Sequence, residues 1–176
     1  VKEDGQASDP FDRGAGRVDP GEAANALLVL DETAAAFDAA DPSQGGDPTA
    51  LNLPSLGNGK CIRTCSWTRT FRMVEDGILN GLRPIETTWQ IDFGDVPAGA
   101  QFTATPSSFT LGTDQTQTVT FEADFSGAAA EQWHFGFVNL DLTSAQVSIQ
   151  GSPQAQSDAA GHQRMPVAVF NTNGTF

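Results

Sequence analysis

Strict alternation of apolar and polar residues limits the possible fold of this chain more than any other feature of its sequence. From Thr118 to Phe125 every second residue is apolar, and the residues between them are threonine, glutamate and aspartate. Trp89 to Phe93 alternates in the same way, and so does Trp67 to Met73 with Arg69 as the exception. A period of two puts successive side chains on opposite faces, so these segments predict half-buried strands of an antiparallel sheet.

Shorter segments between turn signals extend this prediction to an all-β fold. Residues that favour turns separate the segments, as at Pro97 to Gly99 and at Gly112 to Asp114. Roughly six to eight short strands in about 120 residues are typical of an antiparallel β-sandwich. The additional predicted strands are Gln101 to Ala104, Ser108 to Leu111, Gln146 to Ile149 and Val167 to Phe170.

The segment from Trp133 to Leu142 carries two conflicting apolar phases. Its odd-numbered aromatic residues fit one face at the start of the segment, whereas Val138, Leu140 and Leu142 fit the other face. One regular strand cannot place both sets on one face. Either a β-bulge between Gly136 and Val138 resets the phase, or both faces are covered in the middle. The bulge is the favoured interpretation, because a glycine inside a strand often marks one.

The first fifty residues do not alternate and are predicted to be an N-terminal extension with a short helix. Pro20 begins a helical stretch, because proline is favoured at the first helical position. The apolar run from Leu27 to Leu30 needs a partner, and little in its neighbourhood supplies one. We therefore expect that partner to be another domain. Asp41 to Pro48 has two Asp-Pro pairs and a Gly-Gly pair, which predict a linker or an exposed loop.

The charge balance excludes several classes of partner. The chain has 9 basic and 22 acidic residues and a net charge of −13. This balance argues against binding to nucleic acid or to anionic membranes, both of which need a basic surface. No apolar run is long enough for a transmembrane helix. The acidic residues are interpreted as a solubilising surface, and calcium binding is the weaker alternative because no D-x-D-x-D-G loop occurs.

Two cysteines lie four positions apart, at Cys61 and Cys65. A structural zinc site needs four ligands, and the spacing is not that of a redox C-x-x-C pair. A local disulfide in an exported protein is the interpretation that fits best. On a continuous strand the two Cα atoms would lie about 13 Å apart, which is too far to bridge. The disulfide therefore requires a turn between the cysteines.

Several short strings resemble a known family. Asp9 to Asp31 reads DPFDRGAGRVDPGEAANALLVLD, which is similar to the end of the peptidase domain in subtilisin-like serine proteases (subtilases). Ala26 and Leu27 depart from the family, which has Pro-Gly there. Further segments resemble strings of the family's C-terminal domain in the same order, namely Leu51 to Leu56, Cys65 to Thr70, Ala104 to Leu111, Phe135 to Leu140 and Met165 to Val169.

The resemblance implies a fibronectin-III-like β-sandwich at residues 51–176, preceded at residues 1–50 by the tail of a peptidase domain and a connector. It implies a secreted protein, extracellular or at the cell surface. Its function would be that of a non-catalytic domain that docks on and stabilises the peptidase domain of the same parent chain. The family's Ser-His-Asp triad lies upstream of the matched region, so no catalytic residue is predicted, and no cofactor or metal either. The alternative is an adhesive module that binds a substrate or a polysaccharide.

Three ionisable side chains, those of His134, His162 and Arg69, are interpreted as structural and not as parts of a catalytic or binding site. His134 is expected to face solvent or cap a strand, because it alternates with Trp133 and Phe135. His162 is expected in a loop. Arg69 is expected to pack its stem at a sheet edge with its guanidinium in water, and a salt bridge to an acidic partner is the sharper alternative.

The three tryptophans have two possible roles. Each of Trp67, Trp89 and Trp133 begins or lies in an alternating apolar set. We therefore expect them in the core of the sandwich. The alternative is a ligand-stacking platform, as in carbohydrate-binding modules.

Overall fold

The alternating segments form strands of two packed sheets. The computed structural model describes residues 8–14, 19–75, 77–79, 81–149, 152–156 and 161–173. Its elements in chain order are α1 (Pro10–Arg13), α2 (Pro20–Ala24), β1 (Leu28–Val29), α3 (Ala34–Ala39), β2 (Leu56–Ile62), β3 (Thr64–Met73), β4 (Pro84–Gly94), β5 (Gln101–Thr105), β6 (Ser108–Gly112), β7 (Thr116–Asp124), β8 (Gln132–Ile149), β9 (Ser152–Gln156) and β10 (His162–Thr172).

The two sheets differ in size. The small sheet has the strand order β1-β3-β7-β5, and the large sheet has the order β2-β10-β8-β4-β6 with β9 beside the far end of β8. Neighbouring strands are antiparallel except for β2 and β10, which are parallel. The prediction of an all-β fold with two sheets is confirmed. The finer identification as a fibronectin-III-like sandwich stays a prediction.

On one lateral side of the sandwich the chain crosses from the small sheet to the large sheet between β5 and β6. β5 pairs with β7 in the small sheet, from Gln101 opposite Asp124 to Thr105 opposite Thr120. After Pro106 the chain continues as β6, which pairs with β4 in the large sheet. Because the chain crosses between the layers here, each sheet ends on this side in an edge strand of five residues.

The strand β8 resolves its two apolar phases without a bulge at Gly136 to Val138, so the favoured prediction was wrong. Its pairing with β10 runs without interruption, and its register with β4 shifts near Thr143 instead. Phe137 lies on the face opposite Val138 and is also buried. The guanidinium of Arg164 covers it, 3.2 Å from the centre of its ring. Both faces are therefore covered in the middle of β8.

The core lies between the two sheets. Phe71 and Phe121 are fully buried in the small sheet, and Trp89 and Leu140 in the large sheet. The expectation that Trp67 belongs to this core is confirmed, and so is that for Trp89. Among the described residues, no helix is both long and apolar enough to cross a membrane.

Candidate functional site

The segment from Leu27 to Asp31 lies as an added edge strand on the small sheet. Leu28 pairs with Met73 of β3, and the backbone N–H of Val74 donates to the Leu27 carbonyl at 3.0 Å. The side chains of Leu27 and Leu28 are each only 4% exposed. The expected partner in another domain was therefore wrong, because the end of β3, distant in sequence, buries this run within the same chain. The predicted domain boundary after residue 50 stays a prediction.

Polar contacts fix this segment immediately after its apolar part. The Arg72 guanidinium contacts the Asp31 carboxylate at 2.6 Å, and its hydrogen bond lowers the pKa of Asp31. The Asn52 side chain bonds both backbone groups of Thr70 at 2.8 Å and donates to the Asp31 carbonyl at 3.1 Å. Glu32 accepts from the backbone N–H of Asn52 at 2.6 Å, which lowers the pKa of Glu32. Asn52 thus continues the pairing of β1 with β3 by means of a side chain.

The loop after β3 closes directly over the inserted segment. A Cβ atom on Gly77 would lie 2.8 Å from the Ala26 carbonyl oxygen and 2.8 Å from Leu27 Cδ2. Contacts this short require the backbone to move, so only glycine fits here. The inserted segment is therefore held between β3 and this loop.

A groove of 810 Å³ lies beside the inserted segment. The segment forms one wall with its half-buried Val29 and Leu30, and the exposed Ile78 lies at the opening, whereas Leu79 and Trp89 lie beneath the surface. The first residues of β10 supply the polar rim. Among the described lining residues the only ionisable ones are His162 and Arg164. The groove therefore has a mixed lining, with apolar side chains on one wall and nitrogen-containing side chains at its edge.

His162 lies on the rim and has an acidic neighbour. It is the first residue of β10 and not part of a loop, which corrects the prediction. Its Nδ1 lies 2.6 Å from an Asp141 carboxylate oxygen on the neighbouring strand. A histidine oriented by an aspartate is part of a hydrolase triad, but in the described chain no serine or cysteine hydrogen-bonds to this imidazole. The pair therefore supplies a rim contact, and the absence of a catalytic residue stays a prediction.

Of the two roles predicted for His134, facing solvent was wrong because the residue is buried, whereas its contact with a turn carbonyl before β8 is of the capping kind. The even-numbered positions of β8 from Val138 to Leu142 lie on its inner face, and His134 falls in the same phase. It is 7% exposed, and its Nε2 lies 2.7 Å from the Ala129 carbonyl oxygen. Its ring stacks on Phe125 at a centroid distance of 5.3 Å. This histidine therefore holds the turn between β7 and β8.

Trp133 is 41% exposed, so the prediction that it belongs to the core was wrong. It lies on the outer face of the large sheet, where α1 approaches β10. Its ring makes edge contacts with Phe11 at 4.7 Å and with Phe170 at 5.5 Å. The three tryptophans therefore do not share one surface, and a platform built from all of them is also wrong.

Arg69 is buried among carbonyl oxygens, and both predictions for it were wrong. The residue is 2% exposed, and its guanidinium donates to the backbone carbonyls of Leu53 at 2.8 Å and Ser55 at 2.7 Å. Weaker or local bonds reach Thr49 and Thr68. Burial lowers the pKa of Arg69 to about 10. Arg69 therefore fixes the loop before β2, which also contains Asn52, to the small sheet.

Cys61 and Cys65 form a disulfide at the turn from β2 to β3, with 5.5 Å between their Cα atoms. Arg63 has a φ of 64° at this turn, in the left-handed region. Since β2 belongs to the large sheet and β3 to the small one, the bond ties the two sheets together at one end. Structural disulfides are typical of exported proteins. This feature agrees with the coarse expectation that the protein is exported.

Among the described residues, no group of three or more histidine, cysteine, aspartate or glutamate side chains could hold a metal ion. No residue set for a metal or cofactor site is therefore assigned.

Comparison with known proteins gives similarity to solved structures only. No family model matches the chain, and no curated protein matches it. The similar structures include the periplasmic chaperone SfaE, with 13% identity, a TM-score of 0.42, and coverage of 69% of this chain and 57% of that one. The YadV chaperone has 10% identity, a TM-score of 0.44, and coverage of 83% and 52%. The E. coli chaperone DraB has 8% identity, a TM-score of 0.46, and coverage of 71% and 55%.

These findings correct the interpretation as a subtilase C-terminal region. The similar solved structures are chaperones, and no match supports a domain that docks on a peptidase domain or an adhesive module. The predicted function in a protease and the predicted peptidase-domain partner depended on this interpretation and were also wrong. The chain spans about half the length of these chaperone structures. Similarity at this level of identity concerns the arrangement of strands and extends to no finer property.

Proposed function

We propose that this chain is a non-catalytic, exported domain that binds an extended apolar polypeptide segment in the groove beside β1. The observation that carries the proposal is the groove itself, with its wall of extended chain and the exposed Ile78 at its opening. The sandwich already holds one extended apolar segment at this place, its own Leu27 to Leu30. A second segment would lie alongside it, with its apolar side chains against Val29, Leu30 and Ile78. The disulfide supports the exported location.

The interior of the groove indicates which ligands fit. Burial of apolar side chains against valine, leucine and isoleucine supplies the free energy of binding. No carboxylate lines the described groove, and its ionisable residues, His162 and Arg164, lie at the rim. An extended segment of alternating apolar and small polar residues therefore fits the site better than a charged one.

The test uses fluorescently labelled peptides with alternating leucine and threonine, and matched peptides with alternating glutamate and threonine. Binding to the full chain is measured by fluorescence anisotropy. Ile78→Glu places a charge at the groove opening, and we expect it to weaken binding by about tenfold or more. Ile62→Glu is the control, because Ile62 is likewise exposed but lies in β2 outside the groove.

Two results would contradict the proposal. One is equal affinity of the chain for the apolar and the charged peptides. The other is an equal effect of Ile78→Glu and Ile62→Glu on the affinity for the apolar peptide. Circular dichroism of both variants checks that they fold.

A further inference from the structure

The strand β5 forms an open edge of the small sheet on the side away from the groove. It pairs only with β7, so one side of its backbone faces outward. Among the described residues, no backbone group is hydrogen-bonded to that outer side. An edge of this kind is a template for pairing with another strand.

Natural edge strands are commonly protected by being very short or by charges, proline or a bulge. β5 has the sequence Gln-Phe-Thr-Ala-Thr, which contains none of these residues. Its register with β7 is uninterrupted, so it contains no bulge either. The edge strand β2 differs, because it carries Lys60 and two glycines. Within the described chain its length of five residues is therefore the one such protection of the β5 edge.

The sequence of β5 is complementary to itself in an antiparallel pair centred on Thr103. In such a pair Thr103 lies beside Thr103 of the second copy, Gln101 beside Thr105, and Phe102 beside Ala104. Threonine pairs and pairs of one large with one small apolar residue are favourable across neighbouring strands. No like charges oppose one another along the strand.

The acidic surface of the chain tolerates this arrangement. The acidic side chain nearest the centre of the pair is Glu122, opposite Thr103 on β7. In the pair the two copies of Glu122 are separated by three strand spacings, which is about 14 Å. This distance exceeds the Debye length of about 8 Å at physiological ionic strength. Repulsion between two chains of net charge −13 then weakens as salt is added.

We propose that two copies of this chain associate through β5, so that their small sheets join into one continuous antiparallel sheet. The interface is symmetric, which is the commonest arrangement of dimers. The paired strands are five residues long, and so short a contact belongs to the weak, concentration-dependent class of interfaces. The inference is independent of the groove and of the function proposed for it.

The test measures the oligomeric state of the full chain by sedimentation velocity over a range of concentrations, at low and at high salt. We expect a monomer–dimer equilibrium that shifts toward the dimer as salt increases. Thr103→Lys brings two lysines together at the centre of the pair, and we expect it to weaken dimerisation by about two- to fivefold, because Glu122 opposite each lysine offsets part of the repulsion. Thr118→Lys is the matched control, because Thr118 is also exposed but lies on β7.

Gln101→Lys serves as a second variant if Thr103→Lys does not fold, and we expect a smaller loss of dimer from it. A chain that stays monomeric at high concentration and high salt would overturn the proposal. Equal weakening by Thr103→Lys and Thr118→Lys would also overturn it, because the contact would then be the outer face of the sheet and not its edge.

Discussion

The two edges of the small sheet, β1 and β5, differ in how other parts of the chain contact them. On the β3 side the chain adds its own N-terminal segment, buries Leu27 and Leu28, and fixes the end with Asp31 and Asn52. On the β7 side the edge is β5, which has outward-facing backbone and no charged side chain. The first edge is closed only in the sense that its outermost strand, β1, is two residues long and is fixed by contacts within the chain, whereas the β5 edge runs for five residues and remains available. Side chains at the closed edge should matter for stability, and those at the open edge for association.

The largest effect should come from truncating the side chain that fills the closed edge. Leu28→Ala removes a nearly fully buried side chain and leaves a cavity in the core beside β1, so we expect a loss of about 2–5 kcal/mol in the free energy of unfolding. Urea denaturation measures this loss. Thr103→Val at the open edge provides the comparison, with an expected change within about 0.5 kcal/mol. Similar losses for both variants would remove the distinction between the edges.

A smaller loss of stability should follow from adding a side chain to Gly77 in the loop that covers the inserted segment. In Gly77→Ala the new methyl group meets the backbone of Ala26 and Leu27, and we expect a loss of about 1–3 kcal/mol from overpacking. Gly57→Ala is the control, because a Cβ atom there has no atom within 4 Å. Thermal unfolding followed by circular dichroism compares the two. A larger loss for Gly57→Ala would show that the loop does not press on the segment.

The smallest effect should come from the ion pair at the end of the segment. Because the pKa of Asp31 is lower in the folded chain than in the unfolded chain, its ionised form favours folding at pH values above about 4. This contribution is lost as the pH falls through the lowered value of the folded state. The pair is exposed to solvent, so its contribution is small.

We therefore expect Asp31→Asn to melt slightly below the wild type at neutral pH, with a difference that shrinks toward acidic pH. Thermal melts over a pH series measure the difference. Asp92→Asn changes the charge equally in β4 and serves as the control. A difference that stays constant with pH for Asp31→Asn would exclude the ion pair as its cause.

Local periodicity predicted the strands well, because a period of two needs no knowledge of distant residues. The segment Thr118 to Phe125 became β7 with nearly the same bounds, and Trp67 to Met73 became most of β3. The partner of Leu27 to Leu30 was missed because it lies at the end of β3, and no local pattern records a pairing over that distance. His134 and Trp133 were assigned to the wrong faces because β8 contains two apolar phases, and only its neighbours decide between them.

The site itself was less predictable than the fold. Its groove is formed by residues from the N-terminal segment, the loop after β3, β4 and the start of β10, and no short motif unites them. Arg69 interrupts an alternating apolar set, and this irregularity was the one sequence signal that marked it. The strings that resemble subtilases consist largely of turn residues and alternating apolar residues, which many β proteins share.

The passage of the chain from β5 in one layer to β6 in the other has a consequence for the solubility of the protein. Stacking into amyloid-like fibrils requires an exposed segment of roughly six or seven residues with high β-propensity and little charge. At this side of the sandwich the uncharged stretch is long enough in sequence, but the crossing at Thr105–Pro106 divides it into two strands of five residues each, in different sheets. A single change of layer thus prevents either sheet from offering the length of edge on which a fibril grows.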